Sequence, residues 1–268
     1  MHDHDRGLQF DLSTLRSRRA ALALFGGAGL AALAACSPDT KAATTTTTTP
    51  TGTPSTSMAA GPVEEIPEET AGPFPGDGSN GPNVLTESGI VRSDIRTSFG
   101  SVSGTADGVP LRIELTVVEA GTGAALPGAA VYVWHCDRDG NYSLYSDAAA
   151  NQNYLRGVQA ADDAGKLAFT SVFPAAYAGR WPHVHFEVYP KLADATSAGT
   201  KLVTSQLALP EDVCAAVYAT DGYAQSTRNL EQTSLDSDMV FRDGWDSQLA
   251  AVTGGVGDGY VATLTVAV

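Results

Sequence analysis

Tyr177-Ala-Gly-Arg-Trp-Pro-His-Val-His-Phe-Glu-Val-Tyr189 is the stretch on which the reading of this chain turns. Pro182 closes an irregular lead, and the residues after it alternate in the pattern of a β-strand. Side chains on a strand point to opposite faces with period two. His183, His185, Glu187 and Tyr189 therefore share one face, and Val184, Phe186 and Val188 share the other. Two imidazoles side by side on one face make a metal-ligand pair when that face lines a cavity. They are two of the three histidines beyond residue 36.

The same signature repeats on both sides. Residues 111–118 alternate apolar and polar, residues 129–135 form the next strand, and residues 167–173 form another that Pro174 stops. Further strands are predicted near residues 202–209 and over residues 259–268. Gly121-Thr-Gly and Pro127-Gly128 are turn signals. Residues 155–163 read as loop, residues 211–218 as one or two helical turns, and residues 244–252 as a short helix. Residues 61–100 are rich in Pro, Gly and acidic side chains, so they exclude a long helix or a central strand. They are expected to wrap over the surface, with a short ordered piece at residues 90–95. No internal repeat is visible. Many short strands with Gly/Pro turns and little helix predict an all-β fold, a β-sandwich core with long loops.

The first part of the chain reads differently. Ser17-Arg18-Arg19 precedes an apolar, small-residue run from Ala20 to Ala35, too short and too rich in Gly and Ala for a good membrane span. The arginine pair is of the twin-arginine export type. Leu33-Ala34-Ala35-Cys36 resembles a bacterial lipoprotein processing site with Cys36 as the lipidated residue; a simple anchor helix is the alternative. Both readings place the domain outside the cytoplasm. Residues 1–36 are thus expected to be a signal, residues 37–61 a Thr/Pro/Ser-rich tether, and residues 62–268 one domain. A stretch of roughly 200 residues is long enough for one real core. The net charge of −14 argues against a nucleic-acid partner. The membrane is reached through the lipid anchor only. Cys136 and Cys214 remain, and in an oxidising compartment an even pair favours a disulfide over two buried thiols.

Two histidines do not complete a metal site, and three completions are open. His135 would give three histidines with an open position, as in catalytic zinc sites. Glu187 would give the two-His-one-carboxylate set of ferrous oxygenases. Tyrosines are the third route. A phenol with a pKa near ~10 needs a strongly Lewis-acidic ion such as Fe(III) to hold it deprotonated at neutral pH. Spacing alone does not choose among these.

Trp134-His-Cys-Asp-Arg-Asp-Gly-Asn-Tyr142-Ser143 resembles the first ligand loop of the intradiol ring-cleavage dioxygenases, and the Tyr177-to-Phe186 stretch resembles the second. Tyr154-Leu-Arg-Gly157, followed by Asp162 and Gly165, is similar to the family's connecting segment. Thr70-Ala-Gly-Pro73-Phe74 and Arg92-Ser-Asp-Ile95 resemble its N-terminal signatures. The resemblance implies one non-haem Fe(III) held by Tyr142, Tyr177, His183 and His185, with Tyr177 and His185 axial. It implies that Arg180 sits by the substrate and steadies developing negative charge. Gln206 corresponds to a family glutamine, at a longer spacing. Phe74 stands where many relatives have Tyr. The implied reaction activates a catechol-type substrate rather than O2. The catechol displaces Tyr177, which with hydroxide serves as base for the substrate protons, and the ring opens with O2 to a muconate-type diacid. No external reductant is needed, which suits the cell surface. The export signal and tether point to an extracytoplasmic branch. Relatives often form homodimers, although no helical N-terminal zipper of the kind some of them carry is visible.

Plainer readings stand beside these. Tyr132, Tyr189 and Tyr260 are expected to be packing residues, and Asp137 and Asp139 turn residues. His135 is expected to be structural rather than a ligand. Glu187 is expected to face solvent at the strand end or to pair with a base. Two other functions compete: a β-sandwich binding module with a non-catalytic metal site, and a zinc hydrolase built on His135, His183 and His185.

Overall fold

The computed structural model describes residues 63–197 and 199–268. The export signal, Cys36 and the whole tether lie outside the described residues. Among those described, no helix is long and apolar enough to cross a membrane.

Among the described residues, eight strands form two four-stranded sheets. The first contains β1 (Pro110–Val118), β4 (Lys166–Val172), β7 (Ala251–Gly255) and β8 (Gly259–Ala267), in the order β4-β1-β8-β7. The second contains β2 (Ala130–Trp134), β3 (Arg156–Ala160), β5 (His183–Tyr189) and β6 (Val203–Ala208), in the order β3-β2-β5-β6. Pairing is antiparallel except between β1 and β8, which run parallel. The sequence alternation sets which face is inward. Leu111, Ile113, Leu115 and Val117 of β1, with Phe169, Ala262, Leu264 and Val266, meet Val131, Val133, Val184, Phe186 and Val188 in one buried cluster. This is the sandwich core; each large apolar side chain buried there contributes about 1.5–3 kcal/mol.

The other face of the second sheet is also covered. Tyr132, Trp134, Val158 and Tyr189 pack there with Val84, Leu85, Ile90 and Tyr142. All seven residues of β5 are buried as a result, and His183 and His185 lie on this second, outer face. The N-terminal segment supplies part of the cover. Its Ile66 N–H donates to Ala267 (2.9 Å) and its Glu69 N–H to Thr204 (2.7 Å), so it runs across both sheets. Among the described residues, three α-helices, α1 (Leu192–Ala195), α2 (Glu211–Tyr218) and α3 (Ala224–Leu230), and one 3-10 turn at Phe241–Asp243 complete the elements.

Three expectations change. Residues 155–163 are not all loop, because β3 occupies Arg156–Ala160. That strand shows no alternation because its first three residues are buried on both sides. Gly157 within it admits Ile95, whose Cγ2 would lie 2.5 Å from an added Cβ. Residues 244–252 are not a helix; β7 begins at Ala251 and pairs with β8 as a hairpin. The Gly254-Gly-Val-Gly-Asp-Gly259 run is the turn signal for that hairpin. Cys136 and Cys214 form no disulfide; both are buried free thiols, in separate apolar clusters.

Glu187 pairs with a base, the second of the two placements expected for it, and does not reach solvent. It is fully buried, accepts from Lys201 Nζ at 2.6 Å and from the Tyr189 hydroxyl at 2.6 Å, and Lys201 also reaches Asp77 at 3.2 Å. One ammonium thus ties the loop around Asp77 to β5. Lys201→Met strands Glu187 in the interior. The expected loss is on the order of 2 kcal/mol, less than for a fully buried pair because Lys201 is one-third exposed. Urea denaturation should show it, and adding Glu187→Gln should recover part of it.

Candidate metal centre

Each proposed ligand is delivered by a different local device. β5 carries His183 and His185, two residues apart on the outer face. The His183 Nδ1–H donates to the Trp181 carbonyl, which leaves the Nε2 lone pair free. Trp134 stacks on His185 at 4.8 Å and 4°, and the Nδ1 of His185 is buried without a protein partner. Gly72 passes over that ring with φ +67°, and an added Cβ would sit 3.4 Å from His185 Cε1.

Tyr142 follows the turn after β2. The Asp137 carboxylate builds that turn by accepting from the N–H groups of Asp139 (3.0 Å) and Asn141 (2.8 Å) and from the Tyr154 hydroxyl (3.1 Å). Asp137 is therefore a turn residue and also a buried anchor. The Tyr142 N–H donates to Ser146 Oγ (2.9 Å), and the Phe74 ring packs against the Tyr142 ring at 4.8 Å. Tyr177 lies in the loop between β4 and β5. Ser226 and Asn229 of α3 hold that loop through the N–H and carbonyl of Ala176, at 3.1 and 2.7 Å.

The four groups converge. Tyr142 Oη lies 3.4 Å from Tyr177 Oη and 3.4 Å from His183 Nε2; Tyr177 Oη lies 3.3 Å from His183 Nε2; and the two Nε2 atoms are 3.1 Å apart. Donors bonded to one cation at about 2.0–2.2 Å are roughly 3.0–3.4 Å from their neighbours, so the set fits a metal ion. Protonation agrees. Burial, with the Arg180 charge adding, pushes His183 down to about 3, and burial with His183 beside it holds His185 well below the usual range. Both imidazoles are neutral, as ligands must be. Burial, then Tyr177 beside it, pushes the Tyr142 phenol well above its ordinary value. Only a strongly Lewis-acidic cation would hold it as phenolate there. Among the described residues no group of three or more His, Cys, Asp or Glu is placed to hold a metal, so the donor set depends on its two phenols.

Arg180 and Gln206 adjoin this centre. Gln206 is the register partner of His185 on β6. Its Oε1 accepts from Arg180 Nη2 at 2.6 Å, and its Nε2 donates to the Thr70 carbonyl at 2.9 Å. Arg180 also donates through Nε to Asp238 at 2.9 Å. Asp238 carries no local motif, and its partner is 58 residues away, so the sequence offers no signal for it. Arg156 stands out only through the Tyr154-to-Gly157 resemblance, yet it is a hub. It donates to the carbonyls of Phe74 (2.9 Å), Pro75 (2.8 Å) and Ser143 (2.9 Å), to Ser143 Oγ (3.0 Å) and to the Tyr132 hydroxyl (2.9 Å).

His135 is not drawn into the cluster. Its Nδ1–H donates to the Cys136 carbonyl at 2.7 Å and its Nε2 accepts from Ser171 Oγ at 2.6 Å, the pattern of a neutral structural histidine. Burial pushes its pKa down to about 4, with the Cys136 carbonyl opposing and the Arg156 charge adding. Between about pH 4 and 6.5 the unfolded histidine binds a proton that the folded one refuses, so stability rises with pH across that window and is lost as pH falls. His135→Gln should flatten the slope of stability against pH there by up to one proton, read from denaturant midpoints of the metal-free protein.

Comparison with known proteins agrees with the geometry. The family model described as Dioxygenase matches residues 81–239, more than half of the chain. A stretch of 56 residues is 39% identical to chlorocatechol 1,2-dioxygenase of Rhodococcus opacus. It covers 21% of this chain and 22% of that protein, so the match spans about a fifth of the relative's length. The solved structure of an intradiol ring-cleavage dioxygenase from Tetranychus urticae has the same fold, with TM-score 0.61 and 22% identity, over 76% of this chain and 94% of that one. The chain belongs to the intradiol ring-cleavage dioxygenase family.

Proposed function

We propose that this protein is a non-haem Fe(III) dioxygenase that opens a catechol-type ring with O2 to a muconate-type diacid. One observation carries the reading: two phenol oxygens and two imidazole nitrogens converge at 3.1–3.4 Å on the outer face of the second sheet. Bound there, ferric iron would supply the Lewis acidity that ionises phenols and the electron demand that activates the ring.

The remaining tasks belong to the chain. Tyr142, Tyr177, His183 and His185 would hold the ion. Tyr177 Oη would take up one catechol proton as the substrate enters, serving as a base beside the ring. Arg180 stays cationic. Burial alone would lower its pKa, but Tyr177 and the Asp238 carboxylate raise it above the usual arginine value. Its fixed charge favours an anionic catecholate and the charge that develops on ring opening. Both O2 atoms end in the diacid, so no reductant enters. A cell-surface site, reached by twin-arginine export and tethered through Cys36, is part of the proposal, as is a small-molecule substrate with no nucleic-acid partner.

Oxygen uptake with a panel of catechols tests the reaction. The expected result is one O2 consumed per catechol and a diacid product bearing both oxygens from labelled O2. Uptake of O2 without ring opening, or no uptake by iron-loaded protein, contradicts it.

A further inference from the structure

The segment after α3 returns to the site through Asp238. Asp238 is fully buried, and its carboxylate makes four hydrogen bonds. Oδ2 accepts from Arg180 Nε (2.9 Å) and from the Trp181 N–H (2.6 Å). Oδ1 accepts from the N–H groups of Val240 (2.8 Å) and Phe241 (3.3 Å). One oxygen thus caps its own turn, and the other reaches across to the lead into β5. Trp181 is held at its other end as well: its indole N–H donates to the Leu209 carbonyl at 2.8 Å. The carbonyl of the same Trp181 accepts the Nδ1–H of His183.

We propose that Asp238 is a positioning residue with two outputs. It fixes the Arg180 guanidinium beside the centre, and through the Trp181 backbone it fixes the tautomer of His183 that leaves Nε2 free. The inference rests on the proposed reading of the centre as an iron site, but its second output is a property of the metal-free protein. The two oxygens separate the roles. A residue that served only its own turn would act through Oδ1 alone, whereas the positioning role needs Oδ2. Serine is a good cap for a short turn and cannot reach Arg180 and Trp181 together.

The test uses the full chain with Asp238→Asn and Asp238→Ser, each compared with the unsubstituted protein. Folding is checked by circular dichroism. Three readouts follow: the His183 tautomer from long-range proton–nitrogen spectra of the metal-free protein, Fe(III) affinity by chelator competition, and KM and kcat with catechol. The expected result in both variants is a His183 signal that moves from Nδ1–H towards a mixture of tautomers. Iron affinity should fall about 10- to 100-fold, as for other partners that orient metal ligands. KM should rise by more than kcat falls. If the asparagine variant does not fold, the serine variant, which keeps the turn, decides. A folded variant with an unchanged His183 tautomer, iron affinity within about twofold of the parent and unchanged KM overturns the proposal. If the parent itself binds no iron, the metal reading fails. The tautomer measurement then decides alone: a shift upholds the hold of Asp238 on His183, and no shift overturns it.

Discussion

His183→Ala should reduce turnover and iron affinity by more than about 100-fold, beyond the usual loss from removing a residue that only orients a ligand. His183 is the hub of the donor set. Its Nε2 lies within 3.4 Å of Tyr142 Oη, Tyr177 Oη and His185 Nε2. Removing the imidazole takes away one donor and separates the two phenols from the remaining histidine. The fold should survive, because the core is built from the opposite face of β5, where Val184, Phe186 and Val188 are untouched. Iron content by elemental analysis and melting temperature of the metal-free protein check the two halves of this expectation. Retained iron in a folded variant would place the metal elsewhere.

The second large effect concerns stability. Arg156→Met should cost about 3–5 kcal/mol and lower the melting temperature by roughly 10 °C. Arg156 is 1% exposed and donates to three backbone carbonyls, a serine hydroxyl and a tyrosine hydroxyl, four of these five bonds being buried. It joins the segment at Phe74 and Pro75 to the loop that presents Tyr142. Gly76 lies against it so closely that a Cβ would fall 2.7 Å from Arg156 Nη1. Leu144, next to Ser143, sits at φ 73°, a conformation that a branched side chain keeps only when its surroundings hold it there. Releasing Ser143 frees that strain, so iron affinity should fall with stability. Arg156→Lys should not rescue, since an ammonium lacks the planar fork that serves several acceptors at once. A melting temperature within about 2 °C of the parent would show that the clamp is dispensable.

The sheet architecture was legible wherever one face meets the core and the other does not. In β1 and β8, period-two alternation marks the strand directly. It failed for β3, whose first three residues are all buried, and for β7, a short edge strand whose Ala and Gly residues carry little pattern. The four-donor set was legible only through whole loops. His183 and His185 announce themselves by spacing, but nothing local separates Tyr142 and Tyr177 from other loop tyrosines. The supporting residues were the least visible. Asp238, Ser226 and Asn229 act across 50 or more residues of chain, and such contacts leave no trace in a local window. The free thiols show the same limit: an even cysteine count cannot reveal that Cys136 and Cys214 fall into separate clusters.

Under the proposed function, two tyrosinates and two histidines hold ferric iron that receives a catechol. The visible absorption spectrum of the protein, purified after iron-replete expression and titrated with catechol, tests it most directly. The expected result is a wine-red protein whose tyrosinate-to-Fe(III) band shifts as catechol binds, and whose band is lost or weakened in Tyr142→Phe. A colourless, iron-free protein, or a coloured one indifferent to catechol, would contradict it.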